Sequence, residues 1–171
     1  MQRLPFFKYQ GLGNDFVVVD RRNGLVDLDA ERARRICDRH FGVGADGVLS
    51  LLPADDADLR MHVYNADGGE AEMCGNGIRC VARHAVDAGI VHGDVVRIAT
   101  GAGVLACSIH RGADGRVETV SVEMGRPELE RAKIPAAGSG RMVREPVPVG
   151  DRVFEVTAVS MGNPHAVILG E

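Results

Sequence analysis

Met73-Cys74-Gly75-Asn76-Gly77-Ile78-Arg79-Cys80 opens a helix and places a thiol at its mouth. From Asn76 to Gly89, the residues Ile78, Val81, Ala82, Ala85 and Val86 recur at helical spacing and form one apolar stripe. Gly89 is placed to end the helix, while Gly75, Asn76 and Gly77 make a loop whose backbone can approach a ligand closely. Cys74 thus precedes the unpaired amides and positive dipole end of the helix, surroundings that favour a thiolate and can also receive a carboxylate. A single cysteine is more often a small buried hydrophobe, and Cys80, further along the helix, is read that way. At Cys74 the flanking Gly-Asn-Gly favours a reactive thiol.

Short strands surround this helix. Residues 6–10 and 16–19 are apolar runs separated by Gly11-Leu12-Gly13-Asn14-Asp15, which predicts two strands with Asn14 and Asp15 in the turn. Asp29 can cap an amphipathic outer helix reaching about residue 39, with Ala30, Ala33, Ile36 and Cys37 on its buried face. Gly42-Val43-Gly44-Ala45-Asp46-Gly47 matches G-x-G-x-x-G, yet the dinucleotide fingerprint needs a strand before it and a helix after it. Here the order is reversed, so the glycines are read as a tight helix-to-strand loop able to line a pocket. Residues 58–65 alternate Leu59, Met61, Val63 against Arg60, His62, Tyr64, as a half-buried strand does. Downstream, residues 95–99, 104–109 and 117–124 predict an antiparallel meander around or beside the apolar helix. Residues 126–141, with two prolines, read as a connection between units, and residues 153–160 and 166–169 as two further strands.

The 171 residues suffice for a real core and one domain or two small ones. A net charge of −4, two Tyr, five Phe and no Trp offer neither a basic face nor stacking platforms, which speaks against nucleic acid. No apolar run is near bilayer length and the opening residues 1–5 lack a signal segment, so a cytoplasmic protein is expected. The four cysteines show no C-x-x-C pair and the six histidines no metal-binding spacing, so neither a disulfide scaffold nor a metal site is expected.

One internal echo stands out: Gly13-Asn14 and Gly162-Asn163 each precede an apolar strand. Asn14 precedes Cys74 by 60 residues, and the same count from Asn163 lands at 223, past Glu171. A duplicated fold would then lack its second helix and second thiol in this chain.

Five segments in order resemble the diaminopimelate epimerases: residues 11–20, residues 38–47, Tyr64-Asn65-Ala66-Asp67-Gly68, residues 73–80 and Ser160-Met161-Gly162-Asn163-Pro164-His165. The resemblance covers the family's first half and the start of its second. It implies an α+β fold of two similar halves, each a mostly antiparallel sheet wrapped around a central helix, here with the second half truncated. The expected division is a first domain over 1–125 and a linker with an incomplete second domain over 126–171. The implied activity is cofactor-free conversion of LL- to meso-diaminopimelate for lysine and cell-wall synthesis, in a homodimer of full-length chains. By matched position Cys74 would be one of two catalytic thiols. Asn14, Asn65 and Asn163 would hold the substrate's polar groups, the amides of Gly75 and Asn76 would receive its α-carboxylate, and His165 would support the site. Gly47 would stand at a further supporting position, where some members carry Gln.

Inverting a carbon that bears hydrogen requires a base on one face and an acid on the other, and a thiolate with a thiol can exchange those roles. Family members continue past a position like Glu171, and their second thiol and a substrate-gripping Glu-Arg pair lie there. Neither Cys37 nor Cys107 matches that thiol. The expectation is half an active site, slow or inactive alone, with an unpaired apolar edge near residues 166–169 that favours association. The rival readings are a related cofactor-independent racemase of the same fold and a catalytically incomplete binding domain.

Overall fold

The structure, a computed structural model, describes residues 4–24 and 27–170; the start of the chain, read above for a signal segment, lies partly outside them. The chain divides into two compact units, one ending at Glu123 and one beginning at Met124.

The first unit runs β1 (Phe7–Gly11), β2 (Asn14–Asp20), α1 (Ala30–Cys37), β3 (Gly47–Leu52), β4 (Leu59–Asn65), β5 (Glu70–Ala71), α2 (Gly75–Asp87), β6 (Val95–Thr100), β7 (Gly103–Arg111) and β8 (Val117–Val122). Its sheet has the order β1-β2-β3-β4-β6-β7-β8, with β5 paired to β4. The sheet curls around α2, which packs against both outer strands, β1 and β8, as well as against inner ones. Ile78, Val81, Ala82 and Ala85 of α2 are fully buried among Phe16, Val18, Leu49, Leu51, Val63 and Ile98. On the opposite face α1 lays Ala33 and Cys37 over Val17, Val19, Val48 and Tyr64. Strand β2 is therefore covered on both sides, which is why residues 16–19 are continuously apolar rather than alternating.

Most pairings are antiparallel, but β2–β3 and β4–β6 are parallel. Each parallel pair is joined by a helical crossover, α1 in the first case and α2 in the second, since parallel neighbours cannot be joined by a short hairpin.

Three local details differ from expectation. The β1–β2 turn is only Leu12-Gly13, with φ of 57° and 83°, and Asn14 and Asp15 already pair in β2 with Gly11 and Gln10. Two residues with positive φ suit the right-handed twist of a hairpin, so the turn needs no more. Helix α1 starts as expected, with the Asp29 carboxylate accepting from the Arg32 N–H at 2.8 Å, but it ends at Cys37. There the Asp38 carboxylate accepts from the His40 and Phe41 N–H groups at 2.8 and 2.9 Å and turns the chain. In the glycine loop, Val43 and Gly44 donate their N–H groups to the Ile36 carbonyl, and Ala45 donates to that of Cys37. Those amides close the end of α1 and are not free for a phosphate.

His84, 2% exposed on α2, bolts β1 to the helix: Nδ1 lies 3.2 Å from the Tyr9 hydroxyl and the ring packs 4.5 Å from that of Phe7. Burial pushes its pKa below the usual 6.5, against the opposing pull of Asp20 and Asp87, with Arg22 adding to the depression. The unfolded chain therefore takes up a proton at a pH where the folded one does not, and stability is lost as pH falls below about 6.5. Urea unfolding at pH 7.5 and 5.5 should show this loss, and His84→Gln should reduce the difference. An unchanged difference would reject the assignment.

The second unit is a three-stranded antiparallel sheet, β9 (Glu145–Val149), β10 (Arg152–Ser160) and β11 (Pro164–Ile168), in the order β11-β10-β9. Residues 126–141 are more than a connection: Glu128 bridges to Ser160 and Glu130 to Arg141 around a 3₁₀ turn at Arg131–Lys133. Strand β9 escapes the sequence reading because Pro146 and Pro148 argue against a strand; an edge position accommodates them. Strand β11 is the other edge, exposed throughout. Among the described residues no helix is long and apolar enough to cross a membrane.

Candidate active site

The thiol sits where sequence analysis places it, but Gly75, Asn76 and Gly77, read there as a loop, form the first turn of α2, because the cap at Cys74 starts the helix directly after it. Cys74 is the N-cap of α2, and its Sγ accepts the Gly77 N–H at 3.4 Å. It is half-buried, whereas Cys37, Cys80 and Cys107 are buried, and burial pushes the thiols of Cys80 and Cys107 up to about 11. Gly77 allows the first turn of the helix to lie on β3: a Cβ there would come within 2.9 Å of Leu49 Cδ2 and 3.3 Å of the Cys74 Cβ.

The neighbouring strand ends bring polar groups to the same end of the sheet. Phe16, Gly47 and Asn65 stand in one row across β2, β3 and β4, with Asn14 and Asp15 at the start of β2 and Asp46 just before β3. Asn14 donates its Nδ2 to Asp46 at 2.8 Å, and its Oδ1 accepts from Asn76 Nδ2 at 3.3 Å. Asn76 Oδ1 in turn accepts from Arg79 Nη2 at 2.5 Å, and Arg79 Nη1 donates to the Gly75 carbonyl at 3.0 Å.

Asp15 and Asp46 are braced by cations. Arg39 donates to Asp15 at 2.6 Å and to Asp46 at 2.9 Å, and Lys8 reaches Asp15 at 2.5 Å. Hydrogen bonds from Arg39, then Lys8, hold the Asp15 carboxyl far below the usual carboxylate range. The Asn14 amide, followed by the Asp15 N–H, lowers the Asp46 carboxyl from its ordinary value.

Asn14, Gly75 and Asn76 thus come together with Cys74 at the first turn of α2. Asn65 lies at the end of β4, with an exposed side chain and a backbone tied to Gly68 and Gly69. Gly47 offers no side chain, and a Cβ there would stand 2.7 Å from the Tyr64 carbonyl. Asn163 and His165 belong to the second unit, where His165 Nε2 lies 3.0 Å from Asn163 Oδ1. The Gly-Asn echo has a structural counterpart: Gly13 and Gly162 both take positive φ, 83° and 97°, in hairpin turns before β2 and β11.

A cleft of about 740 Å³ runs along α2 between β1 and β8, lined by Tyr9, Arg79, Arg83, Asp87 and Thr119 among others. Cys74 is not in its lining, and its cations are already paired or hydrogen-bonded.

The sequence model of one family, diaminopimelate epimerase, matches residues 6–130, which hold the whole curled sheet and the thiol helix. The chain belongs to the diaminopimelate epimerase family.

Among curated relatives, the diaminopimelate epimerase of Desulforudis audaxviator is 53% identical over 169 residues, covering 98% of this chain and 60% of that one. That of Pelotomaculum thermopropionicum is 50% identical over 168 residues, covering 96% and 60%. The chain spans about 60% of the length of these relatives. A solved structure, a probable proline racemase from Agrobacterium radiobacter K84, superposes with a TM-score of 0.72 at 18% identity, covering 97% of this chain and 52% of that one. At that identity the likeness concerns the fold.

Two residues of the candidate site escaped the sequence reading, Asp46 and Arg79. Asp46 stands in the glycine loop read as able to line a pocket, with no role given to its carboxylate. Arg79 lies three residues after Asn76 and four after Gly75, the spacing that folds a long side chain back over the first helical turn.

Proposed function

We propose that this chain carries one half of the acid–base machinery for cofactor-independent epimerisation of LL-diaminopimelate to the meso isomer. Cys74 is the base on one face of the α-carbon. Asn14 and Asn65 bind the substrate's polar groups, and the Gly75 and Asn76 amides bind its α-carboxylate. The observation that carries this reading is the Cys74 sulfur, half-buried and hydrogen-bonded at a helix N-terminus, while the remaining cysteines are sealed in packing.

The chemistry follows in steps. The α-carboxylate meets helix amides whose partial positive charge is already oriented, and these dipoles also face the negative charge that develops when the α-proton leaves. The sulfur takes that proton as its S–H bond forms and the C–H electron pair stays on carbon. Inversion then requires a proton delivered to the opposite face by a second acid. Cys37, Cys80 and Cys107 are buried, so none is placed to serve as that acid. The lysine and cell-wall role, a homodimer and a cytoplasmic location belong to the same proposal and rest on family membership.

In deuterated water with LL-diaminopimelate, this chain should form the meso isomer slowly or not at all. Chiral chromatography and α-proton NMR read both inversion and exchange. Rapid formation of the meso isomer would overturn the one-thiol reading.

A further inference from the structure

We propose that Asp46 and Arg79 are positioning residues, the two charged ends of one hydrogen-bonded chain that sets which way the Asn14 and Asn76 amides face. Its effect on substrate rests on the function proposed above; the geometry does not. An ionised carboxylate only accepts and a guanidinium only donates, whereas an asparagine amide offers both and can be turned either way. Asp46 takes Asn14 Nδ2 at 2.8 Å, which leaves Asn14 Oδ1 to face Asn76 and accept its Nδ2 at 3.3 Å. Asn76 Oδ1 is then left for Arg79 Nη2 at 2.5 Å. Flipping either amide would set donor against donor or acceptor against acceptor along the chain, so the two charged ends select one orientation for both.

Arg79 has a second effect. Its Nη1 holds the Gly75 carbonyl at 3.0 Å, and the peptide joining Gly75 to Asn76 is trans. In a planar trans peptide the carbonyl and the following N–H point in opposite directions, so fixing one aims the other. The aimed group is the Asn76 N–H, one of the two amides assigned to the substrate carboxylate. Neither Asp46 nor Arg79 is a catalytic residue; each acts through an asparagine or a peptide plane.

The test uses the full chain labelled with ¹⁵N. The Asn14 and Asn76 side-chain amide protons should exchange with solvent more slowly than those of free asparagine, and free-amide rates in the unmodified protein would overturn the proposal. Asp46→Ala removes the accepting end, and Arg79→Met removes the donating end at similar length. Each should weaken binding of LL-diaminopimelate by about tenfold, the effect of one lost positioned hydrogen bond. Arg79→Lys, with a point charge in place of a fork, should restore only part. Because both ends act on the same two amides, the double variant should be little worse than either single one, whereas fully additive losses overturn the chain. If the unmodified protein binds no diaminopimelate, the functional reading fails, and amide exchange still judges the hydrogen-bonded chain.

Discussion

Leu49→Ala should lower the free energy of unfolding by about 2–5 kcal/mol, the range for deleting a fully buried leucine side chain. Leu49 has no exposed surface and lies in the core cluster between the curled sheet and α2, with Ile78 and Val81 in the same cluster. The upper part of the range is expected because the facing residue in the first helical turn is Gly77, which has no side chain able to fill the space. Urea unfolding gives the value directly. A loss under about 1 kcal/mol would mean that helix and strand collapse together on the vacancy, and that this contact does not hold the mouth of the helix in place. The consequence reaches the site, because the space a side chain at Gly77 would need is bounded by both Leu49 and the Cys74 Cβ. A variant that loosens this contact should also change the reactivity of the thiol.

Iodoacetamide at pH 8 should modify Cys74 of the native protein first and leave the other three cysteines almost untouched. The sulfur that reacts is the thiolate. With thiols pushed up to about 11, Cys80 and Cys107 are ionised in roughly one molecule per thousand at that pH, and packing excludes the reagent from them as well. Burial also raises the Cys37 thiol. Peptide mapping should find one adduct, at Cys74, and Cys74→Ser should remove the fast phase. LL-diaminopimelate added beforehand should slow the reaction by occupying the helix mouth. Labelling of all four cysteines at similar rates would reject the poised thiol, and fast labelling unaffected by the substrate would favour a domain that retains the loop without the chemistry.

Much of the first unit was legible locally. The alternation of Leu59, Met61 and Val63 against Arg60, His62 and Tyr64 is a strand with one face in the core, and it appears as β4 with that burial except at Tyr64, which is buried with Ala33 and Cys37 of α1. The stripe from Ile78 to Ala85 is a helix buried along one side, and it appears as α2. Asp29 and Cys74 were legible as helix starts because a capping side chain answers its own next turn, three residues away. The turn at Leu12-Gly13 was misread because Asn14 and Asp15 are turn formers by composition, yet their side chains are engaged by distant partners, Asp46, Arg39 and Lys8. Strand β9 was missed because proline's cost in a sheet depends on whether the strand has a neighbour on that side.

The residues by themselves determined that a thiol opens a helix, that this helix buries one face, and that short strands stand on both sides of it in the chain. Hydrophobic period and capping chemistry act over one turn or one pleat, so they are written in consecutive residues. Only the tertiary structure decided that β2 pairs with β3 and β4 with β6 in parallel, and that the sheet closes around α2. It also decided that Asn14 meets Asn76 across 62 residues, with Asp46 and Arg79 at the ends of that contact. A local pattern records which face must be covered but not which segment covers it, and the partners of a neutral amide are chosen only when folding brings a carboxylate to one side of it and a guanidinium to the other.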